Sequence, residues 1–267
     1  MKTIINKVAV LHQAIYVLIA IGVFFQSENL MAAPAEEEIQ VSDHLSVKVN
    51  NKNGFLSNLT AHGLLIADGI YLEAMSGDDE QIGAPAHNYM QRKETQNVEV
   101  AAAKDFIATK GEILPYDRSS EPLGFETKIN CDPEKEKIKV RSTITFLKDS
   151  IWTDIGKMTI HLLMKGNKDQ GLRIIDAKGK EKHVSMEDSF TKAIFAQIVI
   201  LPLEQGDLIF EADENSHLSI QDFRQDGSPG LILRASADLP WKKNRNMNAN
   251  DKCEFGFTIT YKSKSDS

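Results

Sequence analysis

This sequence is short of several things. Its 267 residues hold only two cysteines, two tryptophans and eight prolines. Neither a C-x-x-C pair nor a Cys/His cluster at zinc-ligand spacing occurs, which excludes a finger- or ribbon-type structural zinc. No G-x-S-x-G, H-E-x-x-H, P-loop or G-x-G-x-x-G sequence is present, so no nucleophile elbow, zincin helix or nucleotide cradle is marked. An excess of basic residues is also missing. With 31 Lys+Arg against 38 Asp+Glu the formal net charge is −7. Such a chain lacks the positive face that displaces counterions from phosphates, which argues against general nucleic-acid binding. What is present is ordinary: 42% hydrophobic and 26% charged residues, a globular balance that excludes a disordered or collagen-like chain. Composition points to no cofactor and no metal.

The first 35 residues read as a secretory signal peptide. Lys2 and Lys7 form a positive start, Ala14 to Phe25 is an uncharged and mostly apolar stretch, and Ala33-Pro34-Ala35 is a small-residue cleavage site. Twelve helical residues cover about 18 Å, short of a hydrocarbon core of about 30 Å, so an uncleaved anchor fits less well. The expectation is an exported protein, periplasmic or extracellular, whose mature chain starts near Glu36 and has no further membrane span. Export also makes a disulfide between Cys131 and Cys253 conceivable; two buried thiols are the alternative. Asn58-Leu59-Thr60 is a glycosylation sequon, of use only in a glycosylating host.

Residues 36–267 read as one domain of strands. Ile138 to Phe146 is the clearest segment: Ile138, Val140, Ile144 and Phe146 share one face with Ser142, and Lys139 and Arg141 take the other. Similar segments start at Ile39, Phe55, Leu64, Ile70, Val98, Phe125, Met158, Leu172, Ile194, Asp207, Leu218, Leu231 and Phe255. Asn50 to Gly54, His62-Gly63, Asp68-Gly69, Gly179-Lys180 and Asp226-Gly227 are turn signals between them. Strands recurring every 8–15 residues without long helical periods predict an all-β fold, a large antiparallel β-sandwich with at most one or two short helices. Ser185 capping Met186 to Phe195 is the one helix expected, and Ser76 to Arg92 reads as a long loop.

Candidate binding residues fall in four places. His87 and Tyr89 with Arg92 put an imidazole, a phenol and a guanidinium in the long loop, groups able to hold hydroxyls or carboxylates or to move protons. Trp152 and Asp154 precede the strand with His161; an indole can stack on a sugar and a carboxylate can accept its hydroxyls. Asp222 and Arg224 fall on one strand face at period two, a spacing that also suits a plain ion pair. Trp241 with Lys242, Lys243 and Arg245 makes a basic aromatic loop suited to an anionic polysaccharide. An ordinary polar loop, a core ring or a solvated turn is the competing reading at each.

The phrase Val47-Lys48-Val49-Asn50-Asn51-Lys52-Asn53-Gly54-Phe55-Leu56-Ser57-Asn58-Leu59 leading to Gly63, with the later Leu218 to Arg224, resembles the galactose mutarotase-like β-supersandwich. The likeness is one of strand order over about residues 40–262, and the catalytic histidine motifs of aldose epimerases are not recognisable. It implies carbohydrate or polysaccharide as the ligand class, without implying mutarotation. The reading is therefore an exported carbohydrate-binding protein of polysaccharide use. A sugar epimerase or lyase-like enzyme built on His87, Tyr89, His161 and Asp154 is the alternative, and a non-catalytic envelope assembly module is the third class.

Overall fold

The structure is a computed structural model that describes residues 35–76, 87–116, 121–163, 171–185, 189–190, 192–224, 230–237 and 245–264. These belong to one compact unit, Ala35–Ser267. The strands described are β1 (Glu36–Gln40), β2 (Leu45–Asn50), β3 (Leu56–Ala61), β4 (Leu64–Ser76), β5 (His87–Met90), β6 (Thr95–Ala103), β7 (Phe106–Ile113), β8 (Leu123–Asp132), β9 (Lys137–Phe146), β10 (Ser150–Leu163), β11 (Leu172–Ile175), β12 (Glu181–Val184), β13 (Ile194–Ala196), β14 (Ile198–Pro202), β15 (Gly206–Ala212), β16 (His217–Asp222), β17 (Gly230–Ser236), β18 (Arg245–Met247) and β19 (Lys252–Ser263). They form two antiparallel sheets. The first runs β1-β2-β3-β4-β10-β17-β16-β13, with β5 added to β4 and β18 to β10; the second runs β12-β11-β14-β15-β19-β9-β8-β7-β6.

The core lies between the sheets because the alternation in each strand turns one row of apolar side chains inward. Across the second sheet, Ile129, Val140 and Phe257 form one ladder and Ile138, Ile259 and Phe210 another, all buried. The first sheet answers with Ile70, Leu72, Met158, Ile160, Leu231, Leu233, Leu218 and Ile220. Such ladders of cross-strand apolar pairs are the unit of sheet stabilisation. Ser142, the one polar residue in its inward row, pairs with Thr127 through hydroxyls 2.8 Å apart, so its burial costs little.

Turn chemistry follows the sequence at several joints. Asn50 Oδ1 accepts from the backbone N–H groups of Lys52 and Asn53, each at 3.0 Å, and the β2–β3 turn closes at Gly54 with φ +70°. His62 and Gly63, both at positive φ, make the two-residue β3–β4 hairpin whose twist matches its strands.

Four expectations are corrected. Asp68-Gly69 does not turn the chain: both lie inside the thirteen-residue β4, and the pairing with β10 steps from Ile70↔Ile160 to Ala67↔Leu162. Two β4 residues thus stand opposite His161 alone, a β-bulge that uses the same backbone permissiveness a turn would. Ile194 and Phe195, read both as the end of the one expected helix and as the start of a strand, belong to the strand β13 on β16, while Met186 to Asp188 and Thr191 lie outside the described residues. His87 to Met90, expected in a loop, add a strand to β4. Lastly, Cys131 and Cys253 are free buried thiols. They flank β9 from opposite sides, Cys131 beside Ile138 and Cys253 beside Ile144. Six residues along a strand put them about 20 Å apart, far beyond the roughly 7 Å that a disulfide spans between Cα atoms. Burial pushes the Cys131 thiol up to about 11 and the Cys253 thiol up to about 12.

Candidate functional site

The outward face of the first sheet holds the candidate site. Where Ile70, Leu72, Ile160 and Leu233 point to the core, their neighbours Tyr71, Glu73, Thr159, His161 and Arg234 must point away, since successive side chains alternate. Register then brings them together: Tyr71 lies beside Thr159, Thr159 beside Arg234, and Arg234 beside Ser219 on β16. One step along, His161 lies beside Ile232 and Ile232 beside Gln221.

Tyr71 is the centre. Its side chain is only 1% exposed although it faces away from the core, because other groups cover it. The Arg92 guanidinium lies 4.4 Å above the ring and Phe55 meets its edge. Arg92 is held there by the turn that follows β5. Gln91 pairs with Leu72 through both backbone N–H and side-chain Oε1 and donates to the Asn53 carbonyl, while Asn53 donates to the Arg92 carbonyl. The Tyr71 hydroxyl is 2.8 Å from His161 Nε2. His161 Nδ1 faces Asp68 Oδ1 at 3.8 Å, where the β4 bulge aims that carboxylate. Burial, then the positive charge of Arg92, lowers the His161 pKa. The neutral imidazole therefore carries its proton on Nδ1, toward Asp68, and Nε2 accepts from Tyr71. Burial raises the Tyr71 pKa, with Glu73 adding to the effect, so the phenol stays protonated.

Beside this chain, Thr159 Oγ1 donates to Glu73 Oε2 at 2.6 Å, and Arg234 Nε lies 3.9 Å from the same oxygen. The Phe223 ring sits 5.6 Å from the Arg234 guanidinium, and Tyr116, 46% exposed, donates to Met90 Sδ at 3.0 Å. Two buried polar atoms on this face, Gln221 Oε1 and Arg234 Nε, have no hydrogen-bond partner among the described residues. Partly exposed rings, a phenol–imidazole–carboxylate chain and open donor and acceptor positions can hold a polar ring-shaped molecule and move a proton at it.

Of the residues expected from sequence, His161 and Arg92 belong to this cluster. Asp222 and Arg224 adjoin it. The Asp222 carboxylate, 1% exposed, accepts from Arg224 Nε at 2.9 Å and Nη2 at 2.7 Å, and this fork anchors the end of β16 next to Phe223. That hydrogen bonding, led by Arg224, holds the Asp222 carboxyl below the usual range. Trp152 is corrected: it lies within β10, 3% exposed, against Phe146 and Tyr89, its Nε1–H donating to Ser150 Oγ. An enclosed ring cannot stack on a sugar. Tyr89 is likewise buried, its hydroxyl donating to the Glu121 carbonyl at 2.9 Å. Asp154 is engaged by Lys157 and by the Gly156 N–H at the β10 bulge. His87 falls in β5 with its side chain outside the described set, and Trp241 with Lys242 and Lys243 lies outside the described residues. Tyr71, Glu73, Asp68 and Arg234 were not expected. The legible signal was a charged or hydroxylated residue set between core residues, as in Leu72-Glu73-Ala74 or Leu233-Arg234-Ala235.

Among the described residues no group of three or more His, Cys, Asp or Glu is arranged to hold a metal, and no helix is long and apolar enough to cross a membrane.

Neither a family model nor a curated protein matches this chain. Solved structures do match by shape. A protein from Synechocystis sp. PCC 6803 superposes with a TM-score of 0.60 at 9% identity over 90% of this chain and 100% of that one. A galactose mutarotase-like protein from Lactobacillus casei ATCC 334 gives 0.56 at 8% identity over 85% of this chain and 100% of that one. An alpha-mannosidase from Enterococcus faecalis V583 gives 0.54 at 12% identity, covering 89% of this chain but 30% of its own length. At such identities the likeness establishes the fold, which is galactose mutarotase-like, and nothing about activity.

Proposed function

We propose that this protein is exported and binds carbohydrate on the outward face of its first sheet. The observation that carries the reading is the Tyr71 cluster: aromatic edges at Phe55, Tyr116 and Phe223 beside unpartnered Gln221 Oε1 and Arg234 Nε. A sugar needs apolar surface for its C–H groups and polar partners for its hydroxyls, and an open buried donor or acceptor gains most from a ligand that pairs it. The mutarotase-like fold, shared with proteins named for sugar chemistry, agrees with this ligand class.

A second reading is favoured by one observation, the 2.8 Å contact of Tyr71 and His161 backed by Asp68. Here the face does chemistry: the exposed Asp68 carboxylate takes the proton of a sugar hydroxyl and returns it, while His161, its Nε2 held by the Tyr71 hydroxyl, turns Nδ1–H to that carboxylate. Titration calorimetry of the full chain against galactose, glucose, mannose and their oligosaccharides, with polarimetry on the same sugars, tests both. Saturable binding that weakens at least tenfold in Gln221→Ala and His161→Ala supports the binding face, and anomer interconversion lost in Asp68→Asn and weakened in Tyr71→Phe supports the enzyme. Absence of binding and turnover throughout the panel refutes the proposal.

A further inference from the structure

Two arginines reach the Tyr71 cluster, and among the described residues only one carboxylate, Glu73, approaches either of them within 4 Å. Arg92 Nε–H points at Met90 Sδ, 3.3 Å away, a weak acceptor, and among the described residues no carboxylate forms a salt bridge with this guanidinium. Arg234 Nε is buried without a hydrogen-bond partner, and its ion pair with Glu73 Oε2 is long at 3.9 Å, that oxygen also accepting from Thr159. Asp222 is forked by Arg224 and Asp154 is held by Lys157, whereas Asp68, 41% exposed, faces a neutral His161 and keeps its charge at the edge of the cluster. Inside the cluster, Glu73 is the one carboxylate set against two guanidiniums among the described residues. The two bases flank one spot: Arg92 covers Tyr71, and Tyr71 is separated from Arg234 only by Thr159 on the intervening strand. Adjacent strands lie about 4.8 Å apart, so both long side chains converge within reach of a single small group. Both act electrostatically on Tyr71 and His161. A half-buried guanidinium without an acceptor has lost water and regained little, and an oxyanion restores it with charge-assisted, often bidentate bonds.

We infer that the ligand of this face is an acidic sugar, with a carboxylate or an ester phosphate held by Arg92 and Arg234 while its ring lies among Tyr116, Phe223 and Gln221. The inference rests on the carbohydrate reading above. It differs from it in requiring the anion.

The test is calorimetric titration of the full chain at low ionic strength with glucose, glucuronate, glucose 6-phosphate and inorganic phosphate. Glucuronate or glucose 6-phosphate is expected to bind at least tenfold more tightly than glucose, and the tighter of the two identifies the source of the anion. Arg92→Gln and Arg234→Gln should each erase that preference, bringing both acidic sugars to the affinity that the same variant shows for glucose, with unchanged circular dichroism. Lys139→Gln, on the other sheet, should change nothing. Should an Arg92→Gln chain fail to fold, Arg92→Lys serves instead: it keeps the charge, loses the planar fork and should retain part of the preference. Equal affinity for glucose and both acidic sugars overturns the inference and leaves the carbohydrate reading standing. Inorganic phosphate binding as tightly as glucose 6-phosphate, with no affinity for glucose, keeps the anion site and overturns the carbohydrate reading. No binding by any of the four overturns both.

Discussion

Changing Tyr71 separates the contributions that meet at this side chain. Tyr71→Phe removes one hydroxyl and keeps the ring under Arg92 and against Phe55. The lost bond is the 2.8 Å contact to His161 Nε2, neutral at both ends, so the net loss is about 0.5–1.5 kcal/mol. For a domain of this size 1 kcal/mol moves Tm by about 2–4 °C, so the variant should melt a few degrees low. Tyr71→Ala removes the ring as well. It opens a cavity at a side chain that is 1% exposed, a loss of about 3–5 kcal/mol, and releases the cation–π contact of Arg92, about 0.5–2 kcal/mol more. Urea unfolding of the three proteins measures the ratio directly. Repeating it between about pH 5 and 8 brings in His161. Burial and Arg92 lower its folded pKa, so on acidification the unfolded chain takes up its proton first. The stability from neutral His161 is therefore complete above the unfolded value of about 6.5 and is lost as pH falls through the lowered folded value. The wild-type minus His161→Gln difference should shrink across that window. Equal losses for Tyr71→Phe and Tyr71→Ala, or a difference curve flat in pH, would refute this account of the cluster.

Arg224→Ala should destabilise by about 3 kcal/mol, because it strands a carboxylate whose side chain is 1% exposed; the partial exposure of Arg224 itself keeps the loss at the low end of the range for broken buried pairs. With Asp222 held below the usual carboxyl range, its share of stability is complete above about pH 4 and lost as pH falls through the lowered value, so acid unfolding curves of wild type and Arg224→Ala should converge at low pH. Export predicts that protein secreted by its native host begins near Glu36, and an intact mass that retains Met1 to Ala35 would overturn it.

The sequence alone determined the strand character of the chain, the inward residues and the antiparallel class. Those properties are local: an alternation such as Ile138-Lys139-Val140-Arg141 assigns each side chain to a face within a few residues, and Val140 and Ile144 are buried as their positions require. The resemblance in strand order also reached the mutarotase-like fold. Only the tertiary structure decided the site, because its members come from β4, the turn after β5, β10 and β17 and meet through pairing register. Register is a non-local property, and His87, Tyr89 and Arg92, close in sequence, serve different places. The same locality explains the misreadings. Asp68-Gly69 is permissive backbone that serves a turn or a bulge equally well, and only the opposing strand selects the bulge that aims Asp68 at His161. Trp152 looks like a sugar platform beside Thr153 and Asp154 until the second sheet closes over it with Phe146. Cys131 and Cys253 form a plausible pair on a line of text, and β9 holds them apart because each is bonded to a different end of it.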